Sequence, residues 1–224
     1  MTWSDPRRRS TLQASTDDPV ARFHELYYDS MDQTWMDTHW LGVPTLKCPL
    51  DLWIYQEILY ETRPDLIIET GTAHGGSALF LASMLDLLGA GSLCTIDVAE
   101  VPDRPVHPRV RYVTASSTDP GVVAEMTDLA GAAERVMVLL DSDHSCEHVR
   151  AELRAYAGLV TPGCYLIVED TNVNGRPVLP EFGPGPAEAL ESFLMTDDRF
   201  EVDTSREKLL MTFNPGGFLR RRTP

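Results

Sequence analysis

The sequence lacks the features of several large classes of protein, and these absences reduce the number of functions that it could have. Lys and Arg number 19 against 34 Asp and Glu, which gives a net charge of −15. This acidic balance argues against a nucleic-acid-binding surface, which needs clustered Lys and Arg. Arg7-Arg8-Arg9 could contact an anionic partner, but a solvated chain end explains it better. No apolar run approaches the roughly 18 residues that a membrane-spanning helix needs. We expect neither nucleic acid nor a membrane among the partners.

Cysteine is also scarce. The four cysteines are far apart and form no Cys-x-x-Cys pair. The first residues lack the apolar stretch of a secretory signal. We therefore expect reduced thiols and a cytoplasmic protein. The acidic residues are spread along the chain, which is typical of a solvated surface.

The composition is otherwise that of an ordinary globular protein: 43% of the residues are hydrophobic and 24% are charged. The length suits one α/β domain with an extension. We expect a flexible tail over residues 1–20, an N-terminal helical and aromatic cap segment over 21–62, and a main domain over 63–224. Within the cap segment, apolar spacing predicts helices over 21–36 and 49–62.

Strands and helices alternate along the main domain. Apolar runs predict strands at 65–69, 92–97, 110–114, 135–141, 163–169, 200–204 and 208–213. Helical spacing is found at 77–88, 121–130, 145–156 and 187–195. This alternation predicts an α/β fold with a seven-stranded, mostly parallel sheet, helices on both faces and an antiparallel pair of strands at its end.

A glycine-rich turn, Glu69-Thr-Gly71-Thr-Ala-His-Gly75-Gly-Ser77, follows the first strand of this domain and opens a helix. Glycines let the backbone approach a ligand, and the helix N-terminus offers N–H groups to it. Asp97, at the end of the next strand, is well placed for a ribose diol. The turn therefore predicts an adenosine-containing cofactor. The predicted cofactor-binding residues are Glu69, Gly71, Thr72, Gly75, Ser77, Asp97, Ser116 and Asp141.

Two alternatives stay open for these residues. An NAD-dependent oxidoreductase would use a similar turn, although the Gly-x-Gly-x-x-Gly fingerprint of dehydrogenases is absent. Ser116 and Ser117 follow the third strand of the domain, where an adenine edge would lie, but capping a turn or helix explains them equally well.

Acidic residues follow two further strands. Asp141-Ser-Asp143-His144 ends the fourth strand of the domain, and Glu169-Asp170-Thr-Asn172 ends the fifth. Ligands of an open parallel sheet bind at this edge, where the carboxyl ends of the strands meet. Clustered carboxylates repel one another unless a cation or protons neutralise them.

These carboxylates predict a hard divalent cation such as Mg²⁺. The predicted ligands are Asp141, Glu169 and Asp170. Asp143 or Asn172 could replace one of them, and acids that only cap loops are the alternative. His144 lies where it could take a proton from a hydroxyl positioned by the cation. We therefore predict His144 and Asp141 as the catalytic residues.

The combination of motifs resembles the cephalosporin hydroxylase and rhamnosyl O-methyltransferase family over about residues 34–213. Besides the two motifs above, it rests on Trp40-Leu-Gly42-Val-Pro-Thr-Leu-Lys47-Cys-Pro49, Arg63-Pro-Asp65, Thr114-Ala-Ser-Ser117-Thr-Asp-Pro120 and Glu169-Asp170. The resemblance implies a Rossmann-like fold and an S-adenosylmethionine-dependent O-methyltransferase that acts on a small molecule, such as a sugar or a glycosylated metabolite.

The sequence is also similar, more distantly, to catechol O-methyltransferases. Those enzymes hold magnesium at the corresponding strand ends and carry a lysine base where His144 stands. This similarity implies that a base is kept, while the change from lysine to histidine puts a catechol substrate in doubt. A non-catalytic subunit that supports a partner hydroxylase is the remaining alternative.

Two segments are expected to cover the site: the aromatic residues Trp35, His39 and Trp40, and the Gly- and Pro-rich loop over 174–186. The N-terminal helix is a candidate contact in a homo-oligomer.

Overall fold

A computed structural model describes residues 18–223 of the protein. Residues 1–17 of the predicted flexible tail lie outside this range. At residue 18 the chain is already structured, because the Asp18 carboxylate accepts the N–H of Val20 at 2.9 Å and caps the first helix.

The N-terminal segment consists of two helices joined by a small hairpin. Helix α1 spans Pro19–Asp29 and helix α2 spans Pro49–Thr62. Between them, strands β1 (His39–Trp40) and β2 (Val43–Pro44) pair antiparallel. Two 3-10 turns, Met31–Gln33 and Trp35–Asp37, precede the hairpin.

The prediction of one helix over 21–36 is wrong, because α1 ends at Asp29. The hydroxyl of Thr34 donates to the carbonyl groups of Tyr27 and Ser30 at 2.6 and 3.1 Å. The indole N–H of Trp35 donates to the carbonyl of Tyr28 at 3.1 Å. These side chains satisfy the open end of the helix and turn the chain back over it.

The main domain is built on a seven-stranded sheet, as predicted. Its strands are β3 (Leu66–Thr70), β4 (Ser92–Asp97), β5 (Val110–Thr114), β6 (Val136–Leu140), β7 (Tyr165–Val168), β8 (Phe200–Val202) and β9 (Phe218–Arg221). Their order is β5-β4-β3-β6-β7-β9-β8. Strands β3 to β7 pair in parallel, and β9 lies antiparallel between β7 and β8.

Helices cover both faces of this sheet, because its central strands are apolar on both sides. The helices that follow α2 are α3 (Gly76–Leu88), α4 (Pro120–Gly131), α5 (Cys146–Tyr156) and α6 (Pro186–Leu194). In β6, Val138 packs in the core with α4, α5 and α6, and the preceding Met137 packs in the core with α2 and α3. Alternation along a strand places adjacent residues on opposite faces, so a strand buried on both faces is apolar throughout.

The last predicted strand is wrong in position: residues 208–213 form no strand, and β9 lies further along at Phe218–Arg221. The Phe213 ring packs among α1 and the residues after it, against Tyr28 and Trp35. Its N–H donates to the buried carboxylate of Asp51 at 2.9 Å. Residue 213 therefore anchors the N-terminal segment instead of extending the sheet. No helix within 18–223 is long and apolar enough to cross a membrane.

Candidate functional site

One cavity of about 470 Å³ opens where the carboxyl ends of β3, β4, β6 and β7 meet. This is the edge at which ligands bind in parallel α/β sheets. Eight sequence-predicted site residues line it: Gly71, Thr72, Ser77, Asp97, Ser116, Asp141, His144 and Asp170. Glu69, Gly75 and Glu169 lie outside its wall. The cavity therefore joins the two predicted halves of the site.

The glycine-rich turn brings the end of β3 against the end of β6. Gly71 has a φ of +88°, and a Cβ there would lie 1.8 Å from the carbonyl oxygen of Asp141. Gly76 has a similar role, because its Cβ would lie 2.2 Å from the carbonyl oxygen of Pro44. Only glycine allows these approaches. Helix α3 then begins at Gly76, and the preceding Gly75 has no side chain to cap it, so the N-terminal N–H groups of the helix are available to a ligand.

Glu69 supports this turn from inside the protein. Its carboxylate accepts hydrogen bonds from the hydroxyls of Ser77 and Thr95, each at 2.6 Å, and the Thr95 hydroxyl lies 2.7 Å from that of Thr72. Burial raises the pKa of Glu69, while Lys47 and these hydroxyls act against that rise. Glu69 thus fixes Ser77 and Thr72, the two residues of this network that line the cavity.

Asp97 holds the other side of the turn. Its carboxylate accepts the N–H groups of Thr72 and Ala73 at 3.0 and 2.8 Å and that of Ala99 at 2.9 Å. Arg104, which the sequence did not single out, lies 3.5 Å from the same carboxylate and donates to the carbonyl of Ala73 at 2.9 Å. The acid is therefore oriented at the cavity edge before any ligand arrives.

Ser116 lines the cavity and also has a local structural contact. Its hydroxyl lies 3.0 Å from that of Thr118 and accepts the Thr118 N–H at 3.3 Å. The neighbouring Ser117 hydroxyl lies 3.1 Å from Nε2 of His148. The two interpretations of Ser116, turn cap and ligand contact, are therefore compatible.

We call Asp141, Glu169 and Asp170 the acidic rim. His144 lies between two of its members: its Nε2 is 3.3 Å from Oδ1 of Asp141, and its Nδ1 is 3.3 Å from Oδ2 of Asp170. One ligand atom from each of Asp141, His144 and Asp170 lies within 4.8 Å of the others. Burial acts to lower the pKa of His144, but Asp170 and Asp141 outweigh it and raise the pKa to about 9.

Lys47 is a further residue of the site that the sequence patterns do not single out. It is buried, and its ammonium contacts Oδ2 of Asp141 and lies 2.6 Å from Oε2 of Glu169. Burial acts to lower the pKa of Lys47, yet the charges of Asp141 and Glu169 raise it above its usual range. Lys47 is therefore a fixed internal cation beside the acidic rim.

The two neighbouring acids of the rim face different surroundings. Glu169 is buried and faces Lys47, and burial raises its pKa well above the usual range, with the charge of Asp141 adding to the rise. Its Oε1 atom is buried and has no hydrogen-bond partner among residues 18–223. Asp170, in contrast, lines the cavity with a φ of +53°. Of the candidate replacements, Asp143 lines the cavity and accepts the N–H of Ser145 at 2.7 Å, whereas Asn172 lies outside the wall and donates to His24 at 2.9 Å.

An aromatic wall from the N-terminal segment closes one side of the cavity. Tyr28 and Trp35 both line it and stack with their ring centroids 5.2 Å apart. His39 and Trp40 do not line it: Trp40 packs against Phe80, and His39 is exposed. The loop over 174–186 also contributes nothing to the wall. Of the predicted covering residues, Trp35 alone among those described borders the cavity.

Comparison with known proteins gives a consistent set of similarities. A family model described as rhamnosyl O-methyltransferase/CmcI matches residues 32–222. The rhamnosyl O-methyltransferase of Mycobacterium leprae is 38% identical over 213 residues, which cover 92% of each chain. That of Mycobacterium tuberculosis strain H37Rv is 40% identical over 215 residues, covering 91% of this chain and 86% of the relative.

Solved structures agree on the fold. A structure described as CmcI-N160 apo has a TM-score of 0.64 and 21% identity, and another described as cmcI-D160 Mg-SAM has a TM-score of 0.65 and 20% identity. Each similarity covers 84% of this chain and 78% of the other. At this level of identity the likeness concerns the fold alone.

Proposed function

The chain belongs to the rhamnosyl O-methyltransferase/CmcI family and is an S-adenosylmethionine-dependent O-methyltransferase, and on this premise we propose how its site works and what it methylates. The acceptor we propose is a hydroxyl of a rhamnosyl group on a small molecule, since the similar mycobacterial enzymes are named for that group. The observation that carries the proposal is the cavity that joins the glycine-rich turn to the acidic rim.

We propose that S-adenosylmethionine binds along the turn. Gly71 and the uncapped start of α3 bring backbone N–H groups close to the ligand. Asp97 would bind the ribose diol, as acids at the end of the second strand do in related folds. Ser116 would border the adenine, and Thr72 and Ser77, held by Glu69, would complete the pocket.

The acidic rim suits a divalent cation. Oxygen donors are what Mg²⁺ prefers, and ligand atoms of Asp141 and Asp170, at the ends of two adjacent strands, lie with one of His144 within 4.8 Å of one another. The buried Oε1 of Glu169, which lacks a hydrogen-bond partner in the described part of the chain, is an oxygen that a cation would satisfy. We therefore propose Asp141, Glu169 and Asp170 as ligands. When bound, the cation supplies Lewis acidity toward the acceptor hydroxyl.

His144 is the proposed general base. Methyl transfer from a sulfonium needs an aligned and deprotonated nucleophile, and a base within hydrogen-bond reach provides the second requirement. The imidazole lies on the cavity wall between Asp141 and Asp170. These carboxylates orient its ring and stabilise the imidazolium. They also raise the pKa of His144 to about 9, so the neutral imidazole that a general base requires depends on a cation at the rim, whose charge would offset that of its ligands. Tyr28 and Trp35 would exclude water from the acceptor side.

Ligand-dependent thermal unfolding tests the cofactor assignment. We expect S-adenosylhomocysteine to raise the melting temperature, because a ligand that binds only the native state stabilises it, and NAD to leave it unchanged. A rise with NAD alone would restore the oxidoreductase alternative. Binding of S-adenosylhomocysteine without methylation of any rhamnoside would favour the non-catalytic subunit. Homo-oligomerisation and a cytoplasmic location stay predictions from the sequence.

A further inference from the structure

We propose that Lys47 sets the ion selectivity of the acidic rim, by occupying one carboxylate oxygen each of Asp141 and Glu169 and leaving one oxygen of each to a cation. Lys47 would thus be a positioning residue that favours Mg²⁺ over Ca²⁺. This inference rests on the proposed function, because it takes the acidic rim as a cation site.

The contacts of the ammonium divide the oxygens of the rim into two sets. Lys47 Nζ contacts Oδ2 of Asp141 and lies 2.6 Å from Oε2 of Glu169. The other oxygens are differently placed: Oδ1 of Asp141 faces His144, and Oε1 of Glu169 has no hydrogen-bond partner among residues 18–223. The oxygens that Lys47 leaves are therefore Oδ1 of Asp141, whose residue lines the cavity, and the buried Oε1 of Glu169 behind the wall.

The backbone around Lys47 keeps the ammonium in this place. The Thr38 hydroxyl lies 3.3 Å from both the carbonyl oxygen and the amide nitrogen of Lys47. The carbonyl of Thr38 accepts the N–H of Thr45 at 2.9 Å. Helix α2 begins two residues after Lys47, and the side chain is only 5% exposed. The lysine is anchored on both sides, so its side chain stays beneath the rim.

Coordination chemistry gives this arrangement a consequence. Mg²⁺ demands near-octahedral geometry at roughly 2.0–2.1 Å and suits ligands that each give one oxygen, whereas Ca²⁺ takes 6–8 oxygens and often binds a carboxylate through both. Lys47 prevents Asp141 and Glu169 from offering both oxygens. Its positive charge also offsets part of the negative charge of the rim.

The chain offers a matched pair of variants, because Lys47 and Lys208 are its only lysines. Lys208 pairs with Glu57 at the surface, with side chains 47% and 24% exposed. Titration calorimetry with MgCl₂ and with CaCl₂, on the full chain without cofactor, gives the ratio of the two dissociation constants. We expect Lys47→Met to shift this ratio toward Ca²⁺ by about tenfold or more, and Lys208→Met to keep the wild-type ratio.

An unchanged ratio in Lys47→Met, with Mg²⁺ binding to the wild type, overturns the role of Lys47 and leaves the proposed function standing. A wild type that binds neither ion overturns both. If Lys47→Met does not fold, the double variant Lys47→Met/Glu169→Gln replaces it, since it leaves no unpaired charge at residue 169 and still frees Oδ2 of Asp141. The same shift toward Ca²⁺ is expected there, and its absence contradicts the inference.

Discussion

At the scale of single residues, Asp141 is the point where all parts of the site meet. It contacts Lys47 and His144, and its carbonyl oxygen lies against Gly71. Burial acts to raise its pKa, but the positive charge of Lys47 and the contact with His144 lower it below its usual value. The carboxylate is therefore ionised and able to bind a cation at neutral pH.

Replacing Asp141 by Asn is expected to lower kcat/KM for methyl transfer by at least about 100-fold, because loss of a charged ligand removes several kcal/mol of cation-dependent stabilisation. Steady-state kinetics at saturating Mg²⁺ measures this. Asp119→Asn is the matched control, since Asp119 does not line the cavity and its carboxylate caps the start of α4. Equal losses in the two variants would contradict the assignment.

The variant His144→Gln tests whether His144 is the general base. We expect kcat to fall by about 100- to 10,000-fold, the usual contribution of general base catalysis, while the affinities for Mg²⁺ and S-adenosylhomocysteine stay near the wild-type values. Turnover assays and calorimetry on the same preparation provide both readings. His39→Gln serves as control because His39 does not border the cavity. If His144→Gln instead abolishes Mg²⁺ binding, the residue is a ligand and not the base.

At the scale of secondary-structure elements, the close approach of β3 and β6 depends on one glycine. Gly71→Ala places a methyl group 1.8 Å from the Asp141 carbonyl oxygen at a φ of +88°, so the two strand ends must separate. We expect a loss of roughly 2–4 kcal/mol in the free energy of unfolding and weaker binding of S-adenosylhomocysteine, both measurable by denaturant titration and calorimetry.

Gly89→Ala is the control for backbone strain. Gly89 ends α3 with a φ of +79°, and a Cβ there meets nothing within 4 Å. It is expected to cost about 1 kcal/mol, the penalty for the left-handed conformation alone. Equal costs at the two positions would show that the contact with Asp141 does not matter.

Helix α1 carries a buried histidine that makes its packing sensitive to pH. His24 stacks on Phe213 with ring centroids 5.5 Å apart, and burial lowers its pKa to about 4. Between pH 6.5 and 4, His24 binds a proton in the unfolded chain but not in the native protein, so the free energy of unfolding falls as the pH falls. When the pH is lowered from 7 to 5, we expect the free energy of unfolding of His24→Asn to fall by about 2 kcal/mol less than that of the wild type.

Asp51, at the start of α2, has the opposite effect. Burial raises its pKa to about 7, so the native protein binds a proton before the unfolded chain does, and stability is gained as the pH falls through 7 toward 4. Asp51→Asn should therefore lose more stability than the wild type between pH 7 and 5. Urea unfolding at both pH values measures these differences, and parallel curves for the wild type and both variants would contradict the two shifts.

At the scale of the whole molecule, local patterns predict most of the sheet and miss one strand. Strands β3 to β7 are short, mostly apolar runs, and each was predicted to within two residues at either end. Strand β9 begins with Phe218 and Leu219 and ends in two arginines, so no alternation marks it. It forms because β7 and β8 lie on either side of it, which is information from distant parts of the chain.

At the site, too, local patterns predict some residues, while contacts between distant parts of the chain determine others. The glycine-rich turn and the acids at strand ends are local patterns, and the parallel topology explains why they share one edge. The partner of Glu169 is Lys47, 122 residues earlier in the sequence, and no spacing rule connects them. One signal was available: adjacent residues of an extended chain point to opposite sides, so Glu169 and Asp170 could be expected to face different surroundings.

Cation-dependent transfer of a methyl group to a rhamnoside tests the central claim most directly. Purified protein, S-adenosylmethionine and a rhamnosyl glycoside are incubated with MgCl₂, with EDTA, or with EDTA followed by excess MgCl₂, and the products are quantified by mass spectrometry. We predict one equivalent of S-adenosylhomocysteine for each O-methylated rhamnoside, loss of both products in EDTA, and their recovery with Mg²⁺. Equal product in EDTA, or cofactor binding with no methylated sugar, would contradict the account.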